Sequence, residues 1–227
     1  MVPRFRLRSF AKGWLIMSDQ VLERLREGIR KFQTDVYAHR AEHYKRSASA
    51  QAPHTLIVAC ADSRVDVEAI TSSGPGEIFV TRNVGNMVPP YSGTPGGVTA
   101  VIEYAVAALK VKHVVVCGHS DCGAMKALLH PPSTEDLPTV RHWLHHGQAA
   151  LMVANGLAGK NESKLARLKR LTEMNVLMQL VHMKTHPSVA GAMARGELTL
   201  SGWVYDIGSG AVRIAIDGQR TFVPVTA

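Results

Sequence analysis

The sequence predicts an α/β fold: a central, mostly parallel sheet of four to five strands flanked by helices, with an N-terminal helical arm. Three observations lead there. Short apolar runs, Thr55 to Ala59, Ile78 to Val80 and Val114 to Cys117, have the length of buried strands. Longer stretches of helical periodicity separate them, the pattern that sets parallel strands side by side with helices on their faces. The first and third runs break into polar residues and glycine at their C-terminal ends, where open α/β sheets keep their sites.

Val21 to Tyr44 is charged and carries Val21, Leu22, Leu25, Ile29 and Phe32 at helical spacing, so it reads as a helix with a narrow apolar face. After the first strand, Asp62 and Ser63 are placed to cap a short helix bearing Val65, Val67 and Ile70, which ends before Ser73-Gly-Pro-Gly76. The strand Ile78 to Val80 comes next. A loop from Pro89 to Gly97 leads into a helix from Val98 to Leu109, apolar on most sides and so expected to lie between the sheet and a partner. Strand, helix, strand is then a right-handed crossover. Leu165, Leu168, Leu171, Met174, Met178 and Val181 mark a long helix stopping near Thr185-His-Pro187, after which Pro187 opens and Gly196 closes a shorter one. Leu198 to Tyr205 and Val212 to Ile216 alternate like strands around Gly208-Ser-Gly210, giving a terminal hairpin.

A chain of 227 residues with 46% hydrophobic content can bury one sizeable core, so residues 18–227 are expected to form a single domain. No apolar run approaches the roughly twenty residues of a membrane span, and a cytoplasmic, membrane-free protein is expected. The net charge of +8 is unevenly spread: residues 1–17 hold Arg4, Arg6, Arg8 and Lys12 with no acid, leaving 22 basic against 18 acidic residues. That leader reads as disordered or as a mis-assigned start, because Trp14 to Met17 is too short for a signal-peptide core. Lys164, Arg167, Lys169 and Arg170 read as the wet face of a helix rather than a nucleic-acid surface. Gly93-Thr-Pro-Gly-Gly97 and Gly118 to Gly123 spell neither a dinucleotide nor a P-loop fingerprint.

Cys60-Ala-Asp62-Ser-Arg64 and His119-Ser-Asp-Cys122 each follow a strand run. Together they offer two thiolates and one imidazole, three ligands of a tetrahedral zinc shell whose fourth place stays open to water or substrate. Two parallel neighbouring strands would deliver all three to one edge of the sheet. Cys117 lies inside its apolar run and reads as core. The alternatives are three inert core cysteines or a Cys117–Cys122 disulfide; the odd cysteine count and the absence of a recognisable secretory signal speak for a reducing compartment. His142 and His146, four apart, are a weak second metal pair and read better as a solvated histidine surface.

These strings resemble the β class of carbonic anhydrases, whose signatures are Cys-x-Asp-x-Arg and a later His-x-x-Cys. Gly76-Glu-Ile-Phe79, Arg82-Asn-Val84, Glu103-Tyr-Ala105, Gly118-His119 and Gly202-Trp-Val-Tyr-Asp206 continue the likeness in the family's order, over roughly Val21 to Asp206. The resemblance implies a lyase that interconverts CO2 and bicarbonate with one Zn2+ per subunit, held by Cys60, His119 and Cys122. Zinc lowers the pKa of its water, and the resulting hydroxide attacks CO2. Two thiolates should leave the metal a weaker Lewis acid than three histidines, so activity is expected to rise with pH. Asp62 is expected to aim the nucleophile while Arg64 holds that carboxylate off the metal; the plain alternative is a surface ion pair.

By the same resemblance Phe79, Val84 and the partner's Tyr104 line the substrate pocket, Gln51 is a polar donor near bicarbonate, and the N-terminal helix wraps a neighbour in a homodimer or dimer of dimers. Gln51, nine residues before Cys60, points to the plant-like, open-site subgroup. Another subgroup builds an inhibitory bicarbonate site from a tryptophan, a glycine and a tyrosine, where this chain has Ile57, Ala59 and Tyr205. Rival readings are a structural zinc module, a scaffold turned regulator, and hydrolysis of CS2 or COS. The first has no use for the charged pair, and the second should show damage at Asp62 and Arg64, which are intact.

Overall fold

A computed structural model describes the backbone of residues 8–92 and 96–226, with side chains from residue 19 onward. The chain divides into two compact units, Met1–Ala50 and Gln51–Ala227.

The first unit is helical. Helix α1 spans Arg8–Lys31, a π-helical turn covers Phe32–Tyr37, and α2 spans Ala41–Ser47. The helix read from Val21 to Tyr44 is thus broken near Arg40, and it extends back through residues 8–17; leader residues 1–7 lie outside the described residues. The rings of Phe32, Tyr37 and Tyr44 pack on one another, with Tyr37 and Tyr44 stacked at 5.1 Å. Val21, Leu22, Leu25 and Ile29 stay exposed.

The second unit is built on a six-stranded sheet in the order β2-β1-β3-β4-β5-β6, where β1 is Thr55–Cys60, β2 Ile78–Asn83, β3 His113–His119, β4 Thr199–Tyr205, β5 Val212–Ile216 and β6 the two residues Val223–Pro224. The first four strands are parallel; β5 runs antiparallel to β4, completing the expected hairpin, and β6 runs antiparallel to β5. All six residues of β1 are buried, as a strand covered on both faces requires. Leu56 and Val58 of β1 join Val114 and Val116 of β3 in the larger core, while Ile57 and Ala59 join Val115 and Cys117 on the other face.

Helix α3, Val67–Thr71, covers that second face. Its cap is Asp66, accepting from Ala69 N at 3.0 Å, not Asp62 or Ser63 as the sequence suggested. The Asp62 carboxylate is turned instead toward the guanidinium and backbone N–H of Arg64. Helix α4, Gly97–Glu103, runs on as a π-helical turn through Tyr104–Ala108 and buries Ile102, Ala105 and Val106 in the larger core. The opposite side, including Tyr104, is exposed, so one chain covers this helix on one side only. Residues 93–95 of the preceding glycine-rich loop lie outside the described residues.

Between β3 and β4 come α5 (Gly123–Leu129), α6 (Pro138–Trp143), α7 (Gln148–Gly156), α8 (Lys164–Met183) and α9 (Pro187–Ala194). Ser163 caps α8, accepting from Ala166 N at 3.1 Å. The apolar stripe expected for α8 is only half right: Leu168 and Leu171 are buried, but Leu165 is 76% and Val181 49% exposed. The inward face instead carries Thr172, Asn175, Val176, Gln179, Leu180 and Met183.

Candidate metal centre

β1 leads to β2 on one side of the sheet and β3 lies on its other side, so the C-terminal ends of β1 and β3 flank the point where strand order reverses. Crevices form there in open α/β sheets. Cys60 ends β1 and His119 ends β3. Cys122 follows after a tight turn in which Asp121 takes φ 60, and it occupies the position before the first turn of α5. Strand pairing and one turn therefore suffice to gather the three.

The two sulfurs and the imidazole nitrogen lie within 4.8 Å of one another, all on buried residues, the one such group among the described residues. A tetrahedral zinc shell, with sulfur at about 2.3 Å and nitrogen at about 2.0–2.1 Å, has edges of roughly 3.5–3.8 Å, so small adjustments close the set on a metal. His119 Nδ1 donates to Ser120 O at 2.8 Å, which fixes the tautomer and leaves Nε2 as a lone-pair donor. That Nε2 is buried and has no hydrogen-bond partner. An orphaned nitrogen beside two sulfurs fits a cation.

The thiols form a coupled pair. A hydrogen bond from Cys122 pulls the Cys60 thiol down, aided by the backbone N–H groups of Asp62 and Gly85. The same contact, then burial, pushes Cys122 up. One proton is shared between the sulfurs, and a soft cation would replace it. Cys117 differs: burial pushes its thiol up to about 12, and it lies on the face of the sheet opposite the larger core. All three cysteines are free.

Asp62 stands beside the ligands, Oδ2 3.9 Å from His119 Nε2. Arg64 grips it with Nε to Oδ1 at 2.9 Å and Nη2 to Oδ2 at 2.8 Å, and the backbone N–H of Arg64 adds a third bond at 3.0 Å. The guanidinium holds this carboxyl well below the usual carboxylate range. Arg64 is steadied in turn by Asp121, at 3.2 Å, which also pairs with Lys126.

Of the residues expected at a substrate pocket, Val84 follows β2 at the ligand edge and is 41% exposed. Phe79 and Tyr104 pack together, ring centroids 6.0 Å apart, but Phe79 pairs with Leu56, four residues and about 13 Å along the strand from the register of Cys60. Gln51 is exposed and precedes β1, at the end of the strand away from Cys60. One chain therefore gathers Cys60, Asp62, Arg64, Val84, His119 and Cys122, and leaves Gln51, Phe79 and Tyr104 elsewhere. His142 and His146 do not share a helix: α6 ends at Trp143, and the His146 ring packs edge-on against Trp143 at 5.1 Å.

Sequence reasoning missed the second layer. Arg82 donates to Cys60 O at 3.0 Å and to Asp62 O at 2.7 Å, tying the end of β1 to the loop after it. Asn83 bonds both N and O of Met87, at 2.7 and 2.9 Å, and Asn175 and Gln179 reach the same loop from α8. The available signal was two amides on the inward face of a helix, which buried packing tolerates only when their polar groups are paired.

A family model described as carbonic anhydrase matches residues 55–212. A carbonic anhydrase of Pseudomonas aeruginosa is 50% identical over 198 residues, covering 87% of this chain and 89% of its own. Among solved structures, the β-carbonic anhydrase CcaA superposes with a TM-score of 0.86 at 36% identity, over 92% of this chain and 93% of that one. One of two tetrameric β-carbonic anhydrases from Sordaria macrospora does so with a TM-score of 0.67 at 29% identity, over 93% and 98%.

Proposed function

This chain belongs to the β class of the carbonic anhydrases, and from that premise we propose that it hydrates CO2 reversibly to bicarbonate and a proton at one Zn2+ per subunit, held by Cys60, His119 and Cys122. The single observation that supports the metal most directly is the buried, unpartnered Nε2 of His119 between two cysteine sulfurs. Zinc bound there would supply Lewis acidity, acidifying a water ligand near neutral pH.

The protein's own groups do the aiming. Asp62 accepts a hydrogen bond from the attacking water and turns its lone pair toward CO2. Arg64, with two guanidinium bonds to Asp62, keeps the carboxylate from occupying the water's place. Asp121 and Lys126 extend the charge network that positions Arg64. Val84 gives the mouth an apolar wall suited to an uncharged gas.

Gln51, Phe79 and Tyr104 serve a site on a second copy in this reading, because they lie away from the ligands of their own chain. A homodimer or dimer of dimers follows, supported by the tetrameric Sordaria neighbours. The exposed apolar face of α1 is then a subunit contact. A cytoplasmic location is proposed with it; no described helix is long and apolar enough to cross a membrane.

Stopped-flow CO2 hydration and metal analysis on one purified sample test the reading. About one zinc per chain with fast hydration is expected. A zinc-loaded protein without hydration activity would overturn it.

A further inference from the structure

We propose that Asn175 and Gln179 of α8 are positioning residues for the metal centre, holding the loop 84–89, whose Met87 shares a core cluster with Cys60 and Cys122, so that the Gly85 N–H is kept on the Cys60 sulfur. This rests on the metal-centre reading above and deepens it.

The loop after β2 has no strand or helix partner of its own. Side chains hold it instead. Trp143 Nε1 donates to Val84 O at 2.8 Å, Asn175 Nδ2 to Gly85 O at 3.1 Å, and Val88 N donates to Gln179 Oε1 at 2.7 Å. Gln179 Nε2 donates to Asn175 Oδ1 at 2.9 Å and to His146 O at 3.0 Å, so each amide fixes the orientation of the other. Asn175 is 1% and Gln179 0% exposed, so both amides are shut off from bulk solvent.

Gly85 fits this clamp closely. Its φ is +79, and a Cβ there would stand 2.8 Å from Ala124 Cβ on α5, the helix that follows Cys122. The backbone is therefore pressed between the Asn175 amide and the helix that follows Cys122, and its N–H, like that of Asp62, favours the Cys60 thiolate. A thiolate that accepts N–H bonds passes less charge to its metal, so the donors to Cys60 partly offset the weak Lewis acidity expected with two sulfur ligands. Thr172 makes the contrast on the same inward face: its hydroxyl donates to Leu168 O, within its own helix, at 2.9 Å.

The test compares wild type with Asn175→Leu, Gln179→Met and Thr172→Val. Each is loaded with Co2+ for its sulfur-to-cobalt charge-transfer band and titrated with Zn2+ against a chelator; thermal unfolding and amide exchange at residues 85 and 88 are followed on the metal-free protein. The two clamp variants should lose about tenfold or more in zinc affinity. Their band should move to longer wavelength, because a sulfur that loses an N–H donor releases charge more readily, and both amides should exchange faster. Thr172→Val should leave band and affinity unchanged whatever it does to the unfolding temperature. Folded clamp variants with wild-type band and affinity overturn the proposal, as does an equal shift in Thr172→Val. Should Asn175→Leu not fold, Gln179→Met carries the test; if neither folds, their role is structural and the proposal fails. A wild type that binds neither metal rejects the metal-centre reading and the clamp together, whereas unchanged variants of a metal-loaded wild type reject the clamp alone.

Discussion

Cys60 and Cys117 are buried thiols on neighbouring strands with opposite chemistry. Cys60 accepts hydrogen bonds from a second thiol and from backbone N–H groups, which favour the thiolate; Cys117 is surrounded by apolar side chains and stays protonated. Because metal retention requires thiolate and free imidazole, Cys60→Ser, His119→Ala and Cys122→Ser should each lose zinc and activity while Cys117→Ala keeps both, as read by metal analysis and stopped flow. Full zinc in Cys122→Ser would reject the ligand set. Arg64 makes a separable prediction. Asp62 is depressed by its arginine, so the pair contributes stability above the ordinary aspartate value of about 3.9 and loses it only as pH falls through the lower folded value. Across roughly pH 6 to 9 Asp62 stays ionised, and the rise of hydration rate with pH is not its titration. Arg64→Ala should keep zinc yet lower kcat/KM by about 10–100-fold, since the released carboxylate can turn to the metal. Near-normal rates in that variant would remove Arg64 from the machinery.

Strand runs were legible as elements because β1 and β3 are buried on both faces and read as unbroken apolar strings. Cys60, His119 and Cys122 were legible for a related reason: ligands at two strand ends need only short motifs. Helix α8 was legible as an element, but its inward face was not, because that face mixes Leu168 and Leu171 with Thr172, Asn175 and Gln179, and side-chain hydrogen bonds that make such residues buriable are set by loops distant in sequence. The same helix lies unusually close to the sheet. A Cβ on Gly202 would fall 2.5 Å from Val176 Cγ1, and one on Gly118 would fall 2.7 Å from Val176 Cγ2. Val176 thus seats in a slot left by two glycines on adjoining strands. Gly202→Ala should lower stability by about 1–3 kcal/mol through overpacking, and adding Val176→Ala should recover part of it in chemical denaturation. A fully additive double variant would show that the slot does not set the helix position.

At the scale of the whole molecule the proposed site would be divided between copies: the ligands and the Asp62–Arg64 pair belong to one chain, while Gln51, Phe79 and Tyr104 of that chain lie away from them. Co-refolding Cys122→Ser with Gln51→Ala should restore hydration that neither variant shows alone, because a mixed dimer carries one intact ligand set facing one intact Gln51. No recovery in verified mixed dimers would place each site within its own chain. Regulation by product is the last consequence. An inhibitory bicarbonate site of the kind found in one β-class subgroup needs donors on the face of β1 opposite the larger core, and Ile57 and Ala59 are there instead, both 0% exposed and packed with Val65, Val67, Val115 and Cys117. Trp203 and Tyr205 close over the same cluster, and the Trp203 indole is already committed to Ser201 Oγ at 3.0 Å. A bicarbonate ion moved into this cluster would give up its water where Ile57 and Ala59 donate nothing and the Tyr205 hydroxyl alone cannot replace it, and a buried anion short of donors is strongly disfavoured. Bicarbonate should therefore act only as product. Hydration rates measured against added bicarbonate at fixed pH and ionic strength should decline gradually, as competition at one site requires; a steep, cooperative loss of rate would mean that an anion does enter this cluster.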